Sequence, residues 1–389
     1  MFDLRFLSLF GIAACLISTS ASSNDLDPPN SIKLGGYLML DHDYYGPFYN
    51  KASEEYVHRS EIRRSKLSIE IMPSVSTQGI AQVKYSSEFP DSGELSLGDV
   101  YLRYKSKSKV ALQLGRMKEP FGLEQQTSSS NLIAIERSII SSSFAPNRSS
   151  GLQIDYLKKR HTFSMGYYLE RKTKHKFALS NINILQYNKE KDTKAVTMRL
   201  TYRPYHSNLS TLHIGSSFSK RWLEGKKFQI KESGEVNSAD NVVRSARFYA
   251  DSSRLLQFDL AWHHGQLLLQ TELMSNTVEQ RDGEQWSYYG GYFQASYHLF
   301  GSYKYKKGFF KPKSDSKSGR VELVFRQSKI DLRDHSIGSE AAFSLMGVNY
   351  YPTPKIKLMA NITFPWISGD TVNNNQTGQA YSLRAQLKF

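Results

Sequence analysis

One cysteine, Cys15, is all the 389-residue chain carries, so neither an intrachain disulfide nor a cysteine-rich metal cage holds it together. Long apolar runs are missing as well. The stretch over residues 6–17 is shorter than the ~18 consecutive apolar residues a membrane-spanning helix requires, and nothing later approaches that length. There is no glycine-rich phosphate loop, nucleophile elbow or zinc-binding helix. Ser-x-x-Lys occurs twice, at 106–109 and 217–220, which reflects a composition rich in both residues. His263 and His264 fall in an apparent strand, where adjacent rings face opposite sides and cannot readily chelate one ion. Acids are scarce relative to bases, 36 against 51, giving a net charge of +15. These absences exclude a disulfide-stapled domain and a helical membrane protein. They leave no expectation of an enzyme, a metal site or a cofactor, and the positive charge points to anionic partners.

What the chain does have is 24 Tyr, 21 Phe and a recurrent period of two. Its last nine residues alternate strictly: Tyr381, Leu383, Ala385, Leu387 and Phe389 are apolar, and every residue between them is polar or charged. This ending resembles the closing strand of bacterial outer-membrane barrels, whose terminal Phe is the signal read by the barrel-assembly machinery. The start reads as an exported leader, residues 1–21, with a short apolar core and Thr19-Ser20-Ala21 as its cleavage site. Cys15 also fits a lipoprotein signal, and both readings stay open. Residues 22–31 form a short polar lead-in, and 32–389 the body. Export and lipid-facing aromatics argue against nucleic acid as the anionic partner. An anion-attracting lumen, basic rims that meet lipopolysaccharide, and simple solubility remain.

Alternating segments recur throughout the body. Val83 and Tyr85 flank Lys84; Val100, Leu102 and Tyr104 alternate with Asp99 and Arg103; Val196, Met198, Leu200 and Tyr202 alternate with Arg199 and Arg203. Phe258, Leu260 and Trp262 follow the same rule, as do Val321, Leu323 and Phe325 around Arg326. The pattern predicts an all-β, antiparallel transmembrane barrel, since only every second residue of such a strand must be apolar. Sixteen strands would give about 23 residues per strand and connection, an ordinary spacing for this architecture. Residues 44–60, 171–192, 225–241 and 304–319 are polar or charged and read as outer loops or turns.

Gly115-Arg116-Met117-Lys118-Glu119-Pro120-Phe121-Gly122-Leu123-Glu124, followed by Ile135-Glu136-Arg137-Ser138, resembles the signature of the phosphate-selective porins O and P. Ile62-Arg63-Arg64-Ser65-Lys66-Leu67 resembles the family's early double-arginine strand, Asp99 to Tyr104 its Asp-Ala-Tyr strand, and Gly347 to Pro352 a late Gly-x-Asn-aromatic-Tyr-Pro block. The resemblance implies a trimer of sixteen-stranded barrels, each narrowed by a loop folded inward, here residues 120–150. It further implies an anion-binding constriction at Arg63, Arg64 and Lys118, with Asp99 as an acidic counterpart that keeps a bound anion able to leave. Lys66, Arg103, Arg199, Arg203 and Arg326 would extend a basic track along the wall, while Glu136 and Arg137 anchor the loop. A wet lumen tolerates charge anywhere, so a solvated wall residue without a selectivity role is the alternative reading for each.

Parity qualifies this assignment. Arg64, Lys66, Ser68 and Glu70 share the polar face of their strand, which leaves Arg63 with lipid-facing parity unless it lies at the rim, in a turn or beyond a bulge. Arg116 and Lys118 share parity with Leu112 and Leu114, so that strand is expected to end near Gly115. The function expected is an outer-membrane channel passing small anions by diffusion, favouring inorganic phosphate or polyphosphate. The alternatives are a general-diffusion porin and a structural or adhesive barrel with a plugged lumen.

Overall fold

The structure is a computed structural model, and it describes residues 31–50, 55–88, 92–170, 193–306, 308–313, 319–370 and 376–389. The leader, Cys15, most of the lead-in and the expected loop at 171–192 lie outside those residues. Sixteen strands form one closed barrel. In chain order they are β1 (Ser31–Tyr45), β2 (Val57–Met72), β3 (Thr77–Glu88), β4 (Ser92–Lys105), β5 (Val110–Lys118) and β6 (Arg148–Leu157). Then come β7 (His161–Glu170), β8 (Thr193–His206), β9 (Ser210–Phe228), β10 (Phe248–His264) and β11 (Leu267–Gln280). The last five are β12 (Gln285–His298), β13 (Arg320–Asp331), β14 (Ser339–Thr353), β15 (Ile356–Gly369) and β16 (Ala380–Lys388). Each pairs antiparallel with its neighbours, and β16 returns to β1.

The alternation read from the sequence sorts side chains into two environments. On β10, Leu256, Phe258, Leu260 and Trp262 point outward and are exposed, whereas Leu255, Gln257, Asp259 and Ala261 are buried inside. Dozens of outward Leu, Ile, Tyr and Phe side chains repeat this around the wall. In water such a surface would be an aggregation liability; in lipid it is the solvated face. Closure is made at the last residue, where Gly36 N–H donates to the Phe389 carbonyl (2.9 Å) and Phe389 N–H donates back to Gly36 (3.1 Å). A Cβ on Gly36 would sit 2.7 Å from the Phe389 ring and collide with the Lys66 carbonyl, so only glycine fits this seam.

Most turns at one end of the barrel are short, and the other end carries the long connections, the arrangement of outer-membrane barrels with extracellular loops. Three segments expected outside instead reach inward. At 44–60, β1 runs on to Tyr45, and Phe48 and Tyr49 are buried. After β9, which extends to Phe228, residues 229–247 fold into the mouth and bury Ile230, Val236, Val242 and Val243 against Ile139, Ile140 and Phe144 of the segment between β5 and β6. At the short-turn end, the hairpin Tyr303–Lys306 and Phe309–Pro312 buries Tyr303 and Phe310 beside Leu268 and Val324. The physical reason is common to all three: each polar segment carries a few large apolar side chains, and the barrel interior is where they leave water.

Two local irregularities correct the strand parity. Between Met39↔Arg64 and Asp41↔Glu61 the β1–β2 register shifts, so Ile62 and Arg63 stand against the single residue Leu40. This bulge brings Arg63 and Arg64 to the same side. Strand β5 does not end near Gly115; it continues to Lys118, paired with Arg148, past a glycine at φ +131°.

Candidate functional site

The chain between β5 and β6 lies inside the barrel, held by strands from around the wall. Its helical turns are Leu123–Gln126, Ser129–Asn131 and Ile139–Phe144. Glu272 on β11 accepts from the Leu123 and Glu124 N–H groups at 2.8 and 2.7 Å. Across the lumen, Gln386 donates to the Ser130 carbonyl (3.1 Å), Lys357 to Leu132 (2.6 Å), Asn349 to Ile133 (2.8 Å) and Arg384 to Ile135. A non-helical backbone inside a barrel has polar groups to satisfy, and the inward side chains of β14, β15 and β16 satisfy them.

Glu136 is the central anchor. Arg63 grips it bidentately, Nε to Oε1 at 2.9 Å and Nη2 to Oε2 at 3.1 Å. Arg384 adds 2.6 Å to Oε1, and Arg64 adds 3.4 Å to Oε2. Arg64 also donates to Ser129 Oγ (2.8 Å), and Arg384 is braced by Asp41 through bonds of 2.7 and 2.6 Å. Burial by itself would raise the Glu136 carboxyl, but the guanidinium groups of Arg63, Arg64 and Arg384 hold it well below the usual carboxylate range. Arg137 bonds its own segment, donating to the carbonyls of Glu124 (3.3 Å) and Thr127 (2.9 Å). Lys118 does the same through Gln125 (2.6 Å) and Thr127 (3.2 Å). Arg326 is fully buried against Glu235 (2.5 Å), Glu124 (3.3 Å) and the Glu136 carbonyl (3.1 Å).

Between this segment and the wall formed by β2 to β8 lies a cavity of about 360 Å³. Six cationic side chains line it (Lys66, Lys84, Arg103, Lys118, Arg148 and Arg199) against two carboxylates, Asp99 and Asp155. Most of the cations are committed. Arg148 forks onto Asp99 (2.7 and 3.3 Å), Arg103 pairs with Asp155 (2.7 Å), and Arg199 pairs with Asp259 (2.7 Å) and donates to Ser217 (2.9 Å). Arg203 lies toward the short-turn mouth, donating to the Lys159 carbonyl (2.6 Å) beside the Tyr305 ring. Lys66 and Lys84 differ. They are cross-strand partners on β2 and β3, and the Lys66 ammonium stands over the Tyr37 ring, 5.1 Å from its centroid. Among the described residues, neither ammonium has a carboxylate within 4 Å. Like charges directly opposite in a sheet are destabilising, which an anion between them would offset.

Of the expected residues, Asp99, Lys66, Lys118, Arg103 and Arg199 line this chamber, with Asp99, Arg103 and Arg199 as members of ion pairs, whereas Arg63, Arg64, Arg203 and Arg326 are not part of its lining. Sequence reasoning missed Lys84, Arg148 and Arg384. Lys84 and Arg384 stand on polar faces of recognised strands, so parity alone exposes them. Their meeting with Lys66 and Glu136 depends on strand neighbours that only the closed barrel defines.

The chain from residue 49 to 389 matches the family described as phosphate-selective porin O and P. It belongs to that family. Porin O of Pseudomonas aeruginosa is 24% identical, covering 93% of this chain and 89% of its own. Among solved structures, an anion-selective porin from Comamonas acidovorans superposes with a TM-score of 0.57 at 12% identity, over 92% of this chain and all of the other. OmpT of Vibrio cholerae in its trimer form gives 0.55 at 10% identity, over 93% of this chain and 100% of its own. Both likenesses establish the barrel fold. The porin is a channel of the bacterial outer membrane.

Proposed function

We propose that this porin passes small anions by passive diffusion and favours phosphate or polyphosphate. The observation that carries the reading is the Lys66–Lys84 pair: two opposed ammonium groups with no carboxylate within 4 Å among the described residues, in a chamber whose arginines are already paired. The inward segment narrows the lumen there, and the two lysines replace part of an anion's hydration with charge-assisted bonds. A lysine is a compact point charge and releases its ligand more readily than a bidentate guanidinium, which conduction requires. The family name favours phosphate; the Comamonas neighbour favours anions in general. The trimer form of the Vibrio neighbour supports a homotrimer as its assembly. The exported leader, recognition of Phe389 by the assembly machinery, and contact of the outer wall with lipopolysaccharide complete the proposal.

Planar-bilayer conductance tests it. The expected result is single-channel steps with an anion-selective reversal potential, and chloride current that falls on adding millimolar phosphate. Steps without phosphate block would reduce the protein to a general-diffusion porin. Absence of steps would leave a plugged structural barrel.

A further inference from the structure

Two histidines stand together on the outer wall, at the end that carries the long connections, where the channel has no use for them. His42 lies on β1 and His58 on β2, in a register that sets His42 opposite Ser60 and Tyr44 opposite His58. They are therefore diagonal neighbours on one face, His58 exposed and His42 half-buried. His58 Nδ1 and His42 Nε2 are 3.4 Å apart, with ring centroids 5.5 Å apart and planes inclined by 30°. The other nitrogen of His42, Nδ1, lies 2.8 Å from Ser60 Oγ. Tyr44 stacks on His58 at 4.5 Å, with Tyr56 and Tyr381 beyond it at 5.1 and 6.0 Å from Tyr44. Such aromatic clusters sit at the membrane–water boundary, within reach of dissolved ions.

We propose that His42 and His58 form a surface chelate for a borderline divalent transition-metal ion such as zinc, nickel or copper. Two imidazole nitrogens each about 2.05 Å from an ion, at a tetrahedral angle, stand about 3.3 Å apart. The observed 3.4 Å matches that span, so the ion needs no rearrangement of the strands. The same separation lies beyond the usual range of an N–H···N hydrogen bond, so little is lost when a metal takes its place. When Ser60 Oγ accepts from Nδ1, His42 is held in the tautomer whose Nε2 lone pair faces His58; an outer partner of this kind orients a metal-binding imidazole. Among the described residues no group of three His, Cys, Asp or Glu forms a closed cage. The remaining coordination positions are filled by water. Nitrogen donors without carboxylates select against calcium and magnesium, which demand oxygen.

Titration calorimetry of zinc into the full-length, untagged protein in detergent tests the site, with cobalt(II) absorption as a second readout. One zinc per chain is expected, abolished in His42→Ala and His58→Ala and weakened about tenfold or more in Ser60→Ala. Channel conductance stays at the wild-type value in all three, which also shows that they fold. The proposal is overturned if the wild type takes up no more zinc than the His42→Ala/His58→Ala double variant, or if magnesium displaces zinc at equal concentration.

Discussion

Replacing Lys84 by glutamine removes one of the two uncommitted charges while keeping a polar side chain of similar reach. A singly charged phosphate seated about 4 Å from one ammonium gains about 1 kcal/mol where the chamber is water-filled and about 4 kcal/mol where its effective dielectric falls to about 20. At 1.4 kcal/mol per tenfold, Lys84→Gln should weaken phosphate block of the chloride current between about fivefold and about 700-fold. The assay is the phosphate concentration that halves chloride conductance in planar bilayers at fixed ionic strength, since exposed charge is screened within about 10 Å at 0.1 M salt. Lys107→Gln, an exposed charge in a short turn, serves as the control for general electrostatic focusing. Because Lys66 and Lys84 face the same anion, the double substitution should cost less than the two single effects combined. Stability should hold or rise, because the change relieves repulsion between opposed ammonium groups. Block by phosphate that stays within twofold of wild type, or that falls equally in Lys107→Gln, would refute the lysine pair as the selective element.

Glu136→Gln should release the loop: it leaves Arg63, Arg64 and Arg384 around a neutral amide, and breaking a buried ion cluster in this way costs about 3–5 kcal/mol. The expected record is a larger, noisier chloride conductance, with new protease cleavage between β5 and β6. The native carboxyl is depressed, so its stabilising contribution is present above the ordinary carboxylate range and is lost only as pH falls through its lowered value; conductance should therefore stay flat from pH 7 down to about 4.5. Glu232, in the inward segment after β9, has the opposite sign. Burial, with Glu136 adding to it, raises its carboxyl to about 7. Its contribution is fully present below about 4.5 and is lost as pH rises through about 7, so thermal stability should decline over that window and Glu232→Gln should flatten the decline.

The barrel was legible because its signal is local. The alternation around Lys84, Arg103, Arg199 and Arg326 fixes which side chains face the lumen, and Phe389 marks the seam that Gly36 completes. What stayed hidden depends on neighbours far apart in the chain. Arg384 stands on the polar face of the last strand, yet its partner Glu136 is 248 residues away. The bulge that turns Arg63 inward has no glycine or proline to announce it, and it is visible only as a register shift against Leu40. The segments after β9 and β12 read as polar loops because their average is polar. Burial is decided by the minority, Val236, Val242 and Val243 in one and Tyr303 and Phe310 in the other.

Arginine and lysine divide the work of this lumen, and that division separates two substitutions the family resemblance would treat alike. Arg63 and Arg64 already hold an anion, the Glu136 carboxylate, tethered to the same chain. A tethered group acts at an effective concentration of millimolar or more. Millimolar phosphate must compete with it for forked guanidinium bonds that Arg384 also supports, and so it does not displace the loop. Arg64→Ala should therefore act through position: it removes the bonds to Ser129 and Glu136, loosens one side of the loop, and raises chloride conductance and its noise. Phosphate affinity should move less than in Lys84→Gln, because the ammonium pair remains. The pair of half-block concentrations is the measurement. If Arg64→Ala abolishes phosphate block while leaving open-channel conductance and noise unchanged, Arg64 contacts the permeating anion directly, and the division between an arginine clamp and a lysine filter fails.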